Sequence, residues 1–202
     1  MNIKTCPYCN RNYTFTINRK DADTDFSTRP EFDHFYDKSS YPLLALSFFN
    51  LVPSCHVCNH GKLGKSVGVN PYFKGFMSKF VVSDNSQIKK ILNANEIRTL
   101  KDTSNFNIIF DNPSPEEIEN IKNLGLGALY NEHKDYVMEI VDRIVTYDRC
   151  LEEGIVDNFQ GVFHNPLEVH NLIFGQYLSD ENHEKRPLSK LKSDILEQLK
   201  IK

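Results

Sequence analysis

Four of the five cysteines stand in two Cys-x-x-Cys pairs, Cys6/Cys9 in "CPYC" and Cys55/Cys58 in "CHVC". Two such pairs supply four thiolates to one tetrahedral ion, because the knuckle spacing lets both sulfurs of a pair face the same point. The expected ion is Zn²⁺ rather than a pair of disulfides, given reducing conditions. Protein would fill all four coordination positions, so this zinc is structural and leaves no open position for catalysis. The 45 residues between the pairs are too many for a simple ribbon, so another element must be inserted between them. Cys150 is left over within an expected helix and reads as a small buried residue.

The second pair runs straight into a polar stretch, "NHGKLGK", carrying Asn59, His60, Lys62 and Lys65. Between the pairs lie Asp33-His34 in "EFDHF" and Asn50 at the start of "NLVPSC". The order along residues 6–65 is thus CPYC, DH, N, CxxCN, GK. This ordered set resembles the HNH nucleases. Their ββα-metal site carries a histidine in the first strand, an asparagine in the middle and a histidine or asparagine on the following helix, and in many members two zinc knuckles bracket it. The chain departs from the family's name at the third letter, where Asn59 stands in place of the final histidine.

The resemblance implies roles that fit the chemistry of these groups. Phosphodiester hydrolysis needs an activated water, a cation on the scissile phosphate and stabilisation of the leaving oxygen. His34 is the candidate general base, since a near-neutral pKa suits proton abstraction from water. Asp33 and Asn59 are oxygen donors suited to a hard cation, Mg²⁺ or Mn²⁺. Asn50 is implied by the family alone, as the brace of the loop carrying His34. His60 is an alternative to Asn59 as metal ligand. His56 reads as a contact to the zinc site or to phosphate, or as merely exposed. Lys62 and Lys65 are expected to contact the phosphate backbone of nucleic acid, or else to be solvated; Lys38 has a weaker case. The looser likeness of "EFDHFYDKSSYPLLALSFFNLVPSCHVCN" and the tail "RPLSKLKSDI" is to HNH proteins of prokaryotic anti-phage loci that accompany an ABC-type ATPase, as in Septu-type systems. It implies an ATPase subunit as partner. The site shows nothing that reads a ribose 2′-hydroxyl, so DNA is preferred as substrate and RNA is the rival. A non-catalytic zinc module that binds nucleic acid or protein is the other alternative.

The elements that must position these groups are short at the front of the chain and helical at the back. "RNYTFTI" (11–17) alternates and is β-branched, so it reads as a strand, and "PEFDHFY" reads as a strand end entering a turn. Ser39 or Ser40 can cap a helix with Pro42 in its first turn, running through "LLALSFF". "NLVPSC" reads as a short strand and "CNHGKLGKS" as a turn or helix start. Further on, "KFVVS" (79–83), "EIRTL" (96–100) and "FNIIF" (106–110) are strand candidates. Ser114, Pro115 and Glu117 spell a capping box. Val137, Ile140, Val141, Ile144 and Val145 follow helical spacing in a helix expected over 128–150. "PLEVHNLIFGQYL" and "PLSKLKSDILEQL" each open with proline and carry helical spacing. The expected fold is α+β, with a zinc-bracketed ββα-metal domain over 1–78 and a region of small strands and helices over 79–202 that docks a partner.

The bulk properties are compatible with this. Aliphatic and aromatic residues form 40% of the chain, enough for a core. Residues 1–80 carry a net charge of +4 and residues 81–202 a net −7, which suggests an anionic ligand at the front and a protein partner at the back. The longest apolar run, "YPLLALSFFNLVP", is too short for a transmembrane helix, and "MNIKTCPYC" lacks a secretory segment, so a cytoplasmic protein with no membrane association is expected.

Overall fold

The computed structural model describes residues 3–18, 25–83, 88, 103, 106–146, 149–159, 161–175 and 177–199. It is mixed α+β, as expected. β1 (Glu31–His34) and β2 (Leu51–Ser54) form an antiparallel pair in which Asp33 faces Val52 and His34 faces Leu51. The chain then enters α1 (His56–Lys62) directly at Cys55. A second antiparallel pair joins β3 (Lys79–Val82) to β4 (Ile108–Asp111). The further α-helices of the described residues include α2 (Pro115–Asn123), α3 (Leu126–Asn131), α4 (Lys134–Thr146), α5 (Arg149–Asn158), α6 (Pro166–Phe174) and α7 (Ser189–Gln198). No helix among the described residues is long and apolar enough to cross a membrane.

Among the described residues the second sheet has two strands, so both of its outer edges need partners for their backbone groups. Helix side chains provide them. Asp194 of α7 accepts from the Phe80 N–H at 2.9 Å, and the Gln198 amide bonds both the N–H and the C=O of Val82. On the other edge the Asn131 amide of α3 does the same for Ile108, at 3.0 Å each way. Between these edges Phe80 stacks obliquely on Phe110 and on Tyr130. The front of the chain joins the same core: Tyr8, the four paired cysteines and Val52 cluster with Phe80, Tyr130, Val137 and Ile195. Polar contacts reinforce the junction. Tyr130 donates to the Cys9 carbonyl, the Leu188 N–H donates to the Asn10 carbonyl at 2.7 Å, and the Asn10 amide donates to the His183 carbonyl at 2.7 Å.

The capping box forms as the sequence expects, with Ser114 accepting from the Glu117 N–H and the Glu117 carboxylate accepting from the Ser114 N–H at 2.8 Å. Glu117 does more than cap. It is buried and also accepts from the Met77 and Ser78 N–H groups. Burial pushes its carboxyl up, but the backbone N–H groups of Ser78, Ser114 and Met77 outweigh this and hold it below the usual carboxylate range. A depressed folded pKa contributes stability above the unfolded value of about 4.3, and that stability is lost as pH falls through the lower folded value. Glu117→Ala is therefore expected to lower urea-unfolding stability by about 2–3 kcal/mol near neutral pH, with the difference from wild type shrinking in acid. An equal difference at pH 7 and pH 3 would refute the charged role. Gly68 lies against the same helix, and a Cβ there would sit 2.6 Å from the Glu116 Cα, so only glycine allows this approach.

Other expectations are corrected. Residues 11–17 form no strand; they make only two isolated bridges, Thr5–Tyr13 and Ile17–Thr28. The preceding turn is held by Cys6 contacts to Asn12 and Asn10, which leaves no extended partner for a ladder. The helix expected from Ser39 or Ser40 is absent. Residues Pro42–Leu44 and Phe48–Asn50 make single 3₁₀ turns, and both serines bond Asp37 instead. Leu43, Leu46, Phe48 and Phe49 are exposed there; besides each other, Phe48 and Phe49 touch only the rings of Tyr72 and Phe73 among the described aromatics, so little burial offsets the cost of helix nucleation. The helix expected over 128–150 is divided among α3, α4 and α5. Asn131 bonds β4 and Gly127 at the first break, ending α3, while Val137, Ile140, Val141 and Ile144 keep their buried stripe on α4. The strand expected over 96–100 and the side chains of Val145 and Cys150 lie outside the described residues.

Candidate functional site

The first cysteine pair sits in a tight turn in which the N–H groups of Cys9 and Asn10 both point to the Cys6 carbonyl, and Asn10 adopts a positive φ of 45°. The second pair spans the start of α1, with Cys55 just before the helix and Cys58 in its first turn. The two turns meet. All four sulfurs lie within 4.8 Å of one another, and all four residues are buried. Cys9 Sγ and Cys55 Sγ are 3.8 Å apart. A zinc–sulfur distance of about 2.3 Å gives a tetrahedral edge of about 3.8 Å, so the cluster fits Zn²⁺ in dimension as well as in donor type. N–H groups are aimed at the sulfurs: Cys55 N at Cys6, Arg11 N at Cys9 and Asn12 Nδ2 at Cys55, each at 3.4 Å. Such donors stabilise thiolate charge. Without an ion the four buried sulfurs are coupled so closely that they cannot all carry charge, and the neighbouring thiols, Cys55 first, together with burial push the Cys58 thiol up. A cation would relieve this by letting all four ionise together.

The unit β1–β2–α1 rises from this cluster. Asn50 is buried and closes the connection between the strands. Its Oδ1 accepts from the Tyr36 N–H at 2.7 Å, and its Nδ2 donates to the carbonyls of Tyr36 and Leu44. The Phe35 N–H donates to the Asn50 carbonyl at 2.8 Å. Asn50 thereby fixes the backbone one and two residues beyond His34, which is half-buried at the end of β1.

Asp33 points the other way along the strand alternation and is 6% exposed. Its Oδ2 accepts from Tyr8 Oη at 2.7 Å and from Lys62 Nζ at 2.9 Å. Burial, with the Asp33 charge beside it, pushes the Tyr8 hydroxyl far up, so Tyr8 remains a donor. The expectation for Lys62 is overturned. Lys62 is 3% exposed, and its ammonium also donates to the His34 and Phe35 carbonyls, so it is not free to meet a phosphate. The carboxylate expected to hold a catalytic cation is instead neutralised by a lysine of the same chain. A lone carboxylate in this position would cost far more than the exposed alternative, so α1 turns its only lysine inward. Lys62→Met is expected to destabilise the chain by about 3–5 kcal/mol, and adding Asp33→Asn should return much of that loss. Unchanged thermal unfolding of Lys62→Met would take the pair out of the core. Lys65 remains at the surface and donates to the Gly61 carbonyl at 3.1 Å.

Asn59 and Asp33 are not brought together. The Asn59 amide donates to Glu31 Oε2 at 2.8 Å, and His56 Nδ1 lies 2.7 Å from Glu31 Oε1. These contacts, from Asn59 first and His56 second, hold the Glu31 carboxyl below its usual range. The sequence reasoning passed over Glu31 and Tyr8. Glu31 had a readable signal: two residues before Asp33 on a strand, it must share Asp33's face. Tyr8, between the first cysteines, had none.

No family model, curated protein or solved structure matches the chain. The reading of its function therefore stands on the residues and their geometry.

Proposed function

We propose that the chain is a metal-dependent endonuclease of the HNH type. It hydrolyses phosphodiester bonds in nucleic acid, DNA in preference to RNA, and is built around a structural zinc. The observation that carries this reading is the hairpin-plus-helix unit β1–β2–α1, with Asp33-His34 closing its first strand, Asn50 tying the connection and Asn59 on the helix, bonded to Glu31 of the first strand. Cys6, Cys9, Cys55 and Cys58 would hold the zinc at the base of this unit. Asp33 and Asn59 are the oxygen donors that would hold Mg²⁺ or Mn²⁺, once Asp33 gives up Lys62 and Asn59 turns its amide away from Glu31; the ion would supply charge neutralisation at the scissile phosphate when bound. His34 would take the proton of the attacking water, the role an imidazole beside a reacting water commonly fills. Asn50 keeps the His34 backbone in place during that transfer. Lys62 is the charge partner of Asp33 inside the fold.

Plasmid DNA and total RNA, incubated with the purified chain with and without Mg²⁺ or Mn²⁺, test this reading. Metal-dependent nicking of the plasmid is the expected result. Asn59→Ala is expected to lower that activity and to recover part of it at high Mg²⁺, because one of several oxygen ligands is lost. Metal dependence identical to wild type would remove Asn59 from the site. The region after residue 114 is acidic and helical, and we assign it the docking of an ABC-type ATPase subunit in an anti-phage complex; co-purification with exposed faces of α4 scrambled tests that assignment.

A second reading is favoured by one contact. The buried Lys62–Asp33 pair leaves Asp33 neutralised, as a zinc module with no catalytic role would have it. Absence of cleavage of either nucleic acid with every ion, with the ATPase present, would select that module.

A further inference from the structure

One cluster of metal-ligating side chains lies apart from both the thiolates and Asp33. His56 and His60 are four residues apart on α1, so their rings stand on one face, with centroids 4.0 Å apart. Glu31 reaches the same face from the start of β1, and one ligand atom from each of the three lies within 4.8 Å of the others. The Asn59 amide donates to the second oxygen of the Glu31 carboxylate and so orients it. Both histidines are exposed, so their rings can rotate onto a common point at small cost.

A separate feature adjoins this face. A cavity of about 260 Å³ begins at Glu31 and His56 and is lined by Thr14, Arg29 and Ser54 among others. The hydroxyls of Thr14 and Ser54 are buried, and neither has a hydrogen-bond partner among the described residues. Buried hydroxyls without protein partners are satisfied by water or by a ligand.

We propose that Glu31, His56 and His60 bind one divalent late-transition-metal ion, of the Zn²⁺, Co²⁺ or Ni²⁺ class, at a site distinct from the four cysteines. Two imidazoles and a carboxylate are the donors such ions prefer, whereas Mg²⁺ and Ca²⁺ favour oxygen alone. Three protein ligands leave coordination positions open. The adjoining cavity, which Thr14 and Ser54 also line, has room for the waters or the anion that complete the shell. The proposal does not depend on nuclease activity, since it concerns binding.

The test uses the full chain with its cysteine site loaded with zinc, titrated with Co²⁺ and followed by calorimetry and visible absorption. The expected result is one further equivalent of Co²⁺, with weak ligand-field bands, no thiolate-to-cobalt charge-transfer band and no release of zinc. His56→Ala and His60→Ala should each weaken that equivalent by at least about tenfold, since loss of a direct ligand costs no less than loss of a group that orients one. Zinc content and thermal unfolding should stay unchanged in both variants. No second equivalent, uptake with a charge-transfer band or zinc release, or affinity unaltered in the two variants would each overturn the site.

Discussion

Removing the thiolate zinc is expected to unfold the chain rather than loosen it. Structural zinc in small domains contributes on the order of 10–16 kcal/mol, and whole domains are stable by only about 5–15 kcal/mol. The contribution here should be at the high end of consequence, because the thiolates do not sit in an isolated ribbon. Cys6, Cys9, Cys55 and Cys58 belong to the same buried cluster as Val52, Phe80 and Tyr130, and the Cys9 carbonyl accepts from Tyr130. Four thiols crowded without a cation cannot all ionise, so the cluster needs a cation to hold four thiolates together. Cys58→Ser should therefore lose zinc and the cooperative thermal transition together, including the part reported by the helices after residue 114. Metal analysis and circular dichroism on the same sample check this. A folded Cys58→Ser protein with the wild-type transition, or a wild-type sample that is folded and free of zinc, would defeat the assignment.

His34→Ala is expected to reduce nucleic-acid cleavage by about 10²–10⁴-fold, the usual share of a general base. The fold should be untouched. The contacts that organise this turn go through backbone atoms: Lys62 donates to the His34 carbonyl, and Phe35 donates to Asn50. An alanine keeps both, so zinc content and thermal unfolding should match wild type. Activity that survives intact in His34→Ala would remove the imidazole from the reaction, and activity lost together with zinc would mark the change as structural. Comparison with Asn50→Ala separates the two. That variant loses three side-chain hydrogen bonds that hold the Tyr36 and Leu44 backbone, so it should lose stability as well as rate.

Some of this molecule is written locally. Ser114, Pro115 and Glu117 meet within one helical turn, so their capping geometry follows from sequence neighbours alone. The four-residue strands β1 and β2, the alternation of Phe80 and Val82, and the buried stripe of α4 are likewise local patterns that burial then uses. The cysteine cluster could be anticipated despite its long separation, because a metal-ligand template constrains spacing at each end independently.

What needed the tertiary structure is every decision made between distant residues. The turn of Lys62 inward depends on where β1 places Asp33, 29 positions earlier in the chain. A lysine in "NHGK" carries no mark of burial; only an otherwise unpaired carboxylate across the helix makes burial cheaper than exposure. Residues 42–49 have the composition of a buried helix yet fold as turns, because among the described residues they are left largely exposed, with Leu43 and Leu46 almost fully so. Helix strength in a globular protein comes from the face it packs against, and a sequence window does not contain that face. The same holds for Glu31, His56 and His60: α1 brings the histidines together by its own periodicity, but only the antiparallel hairpin carries a carboxylate to them.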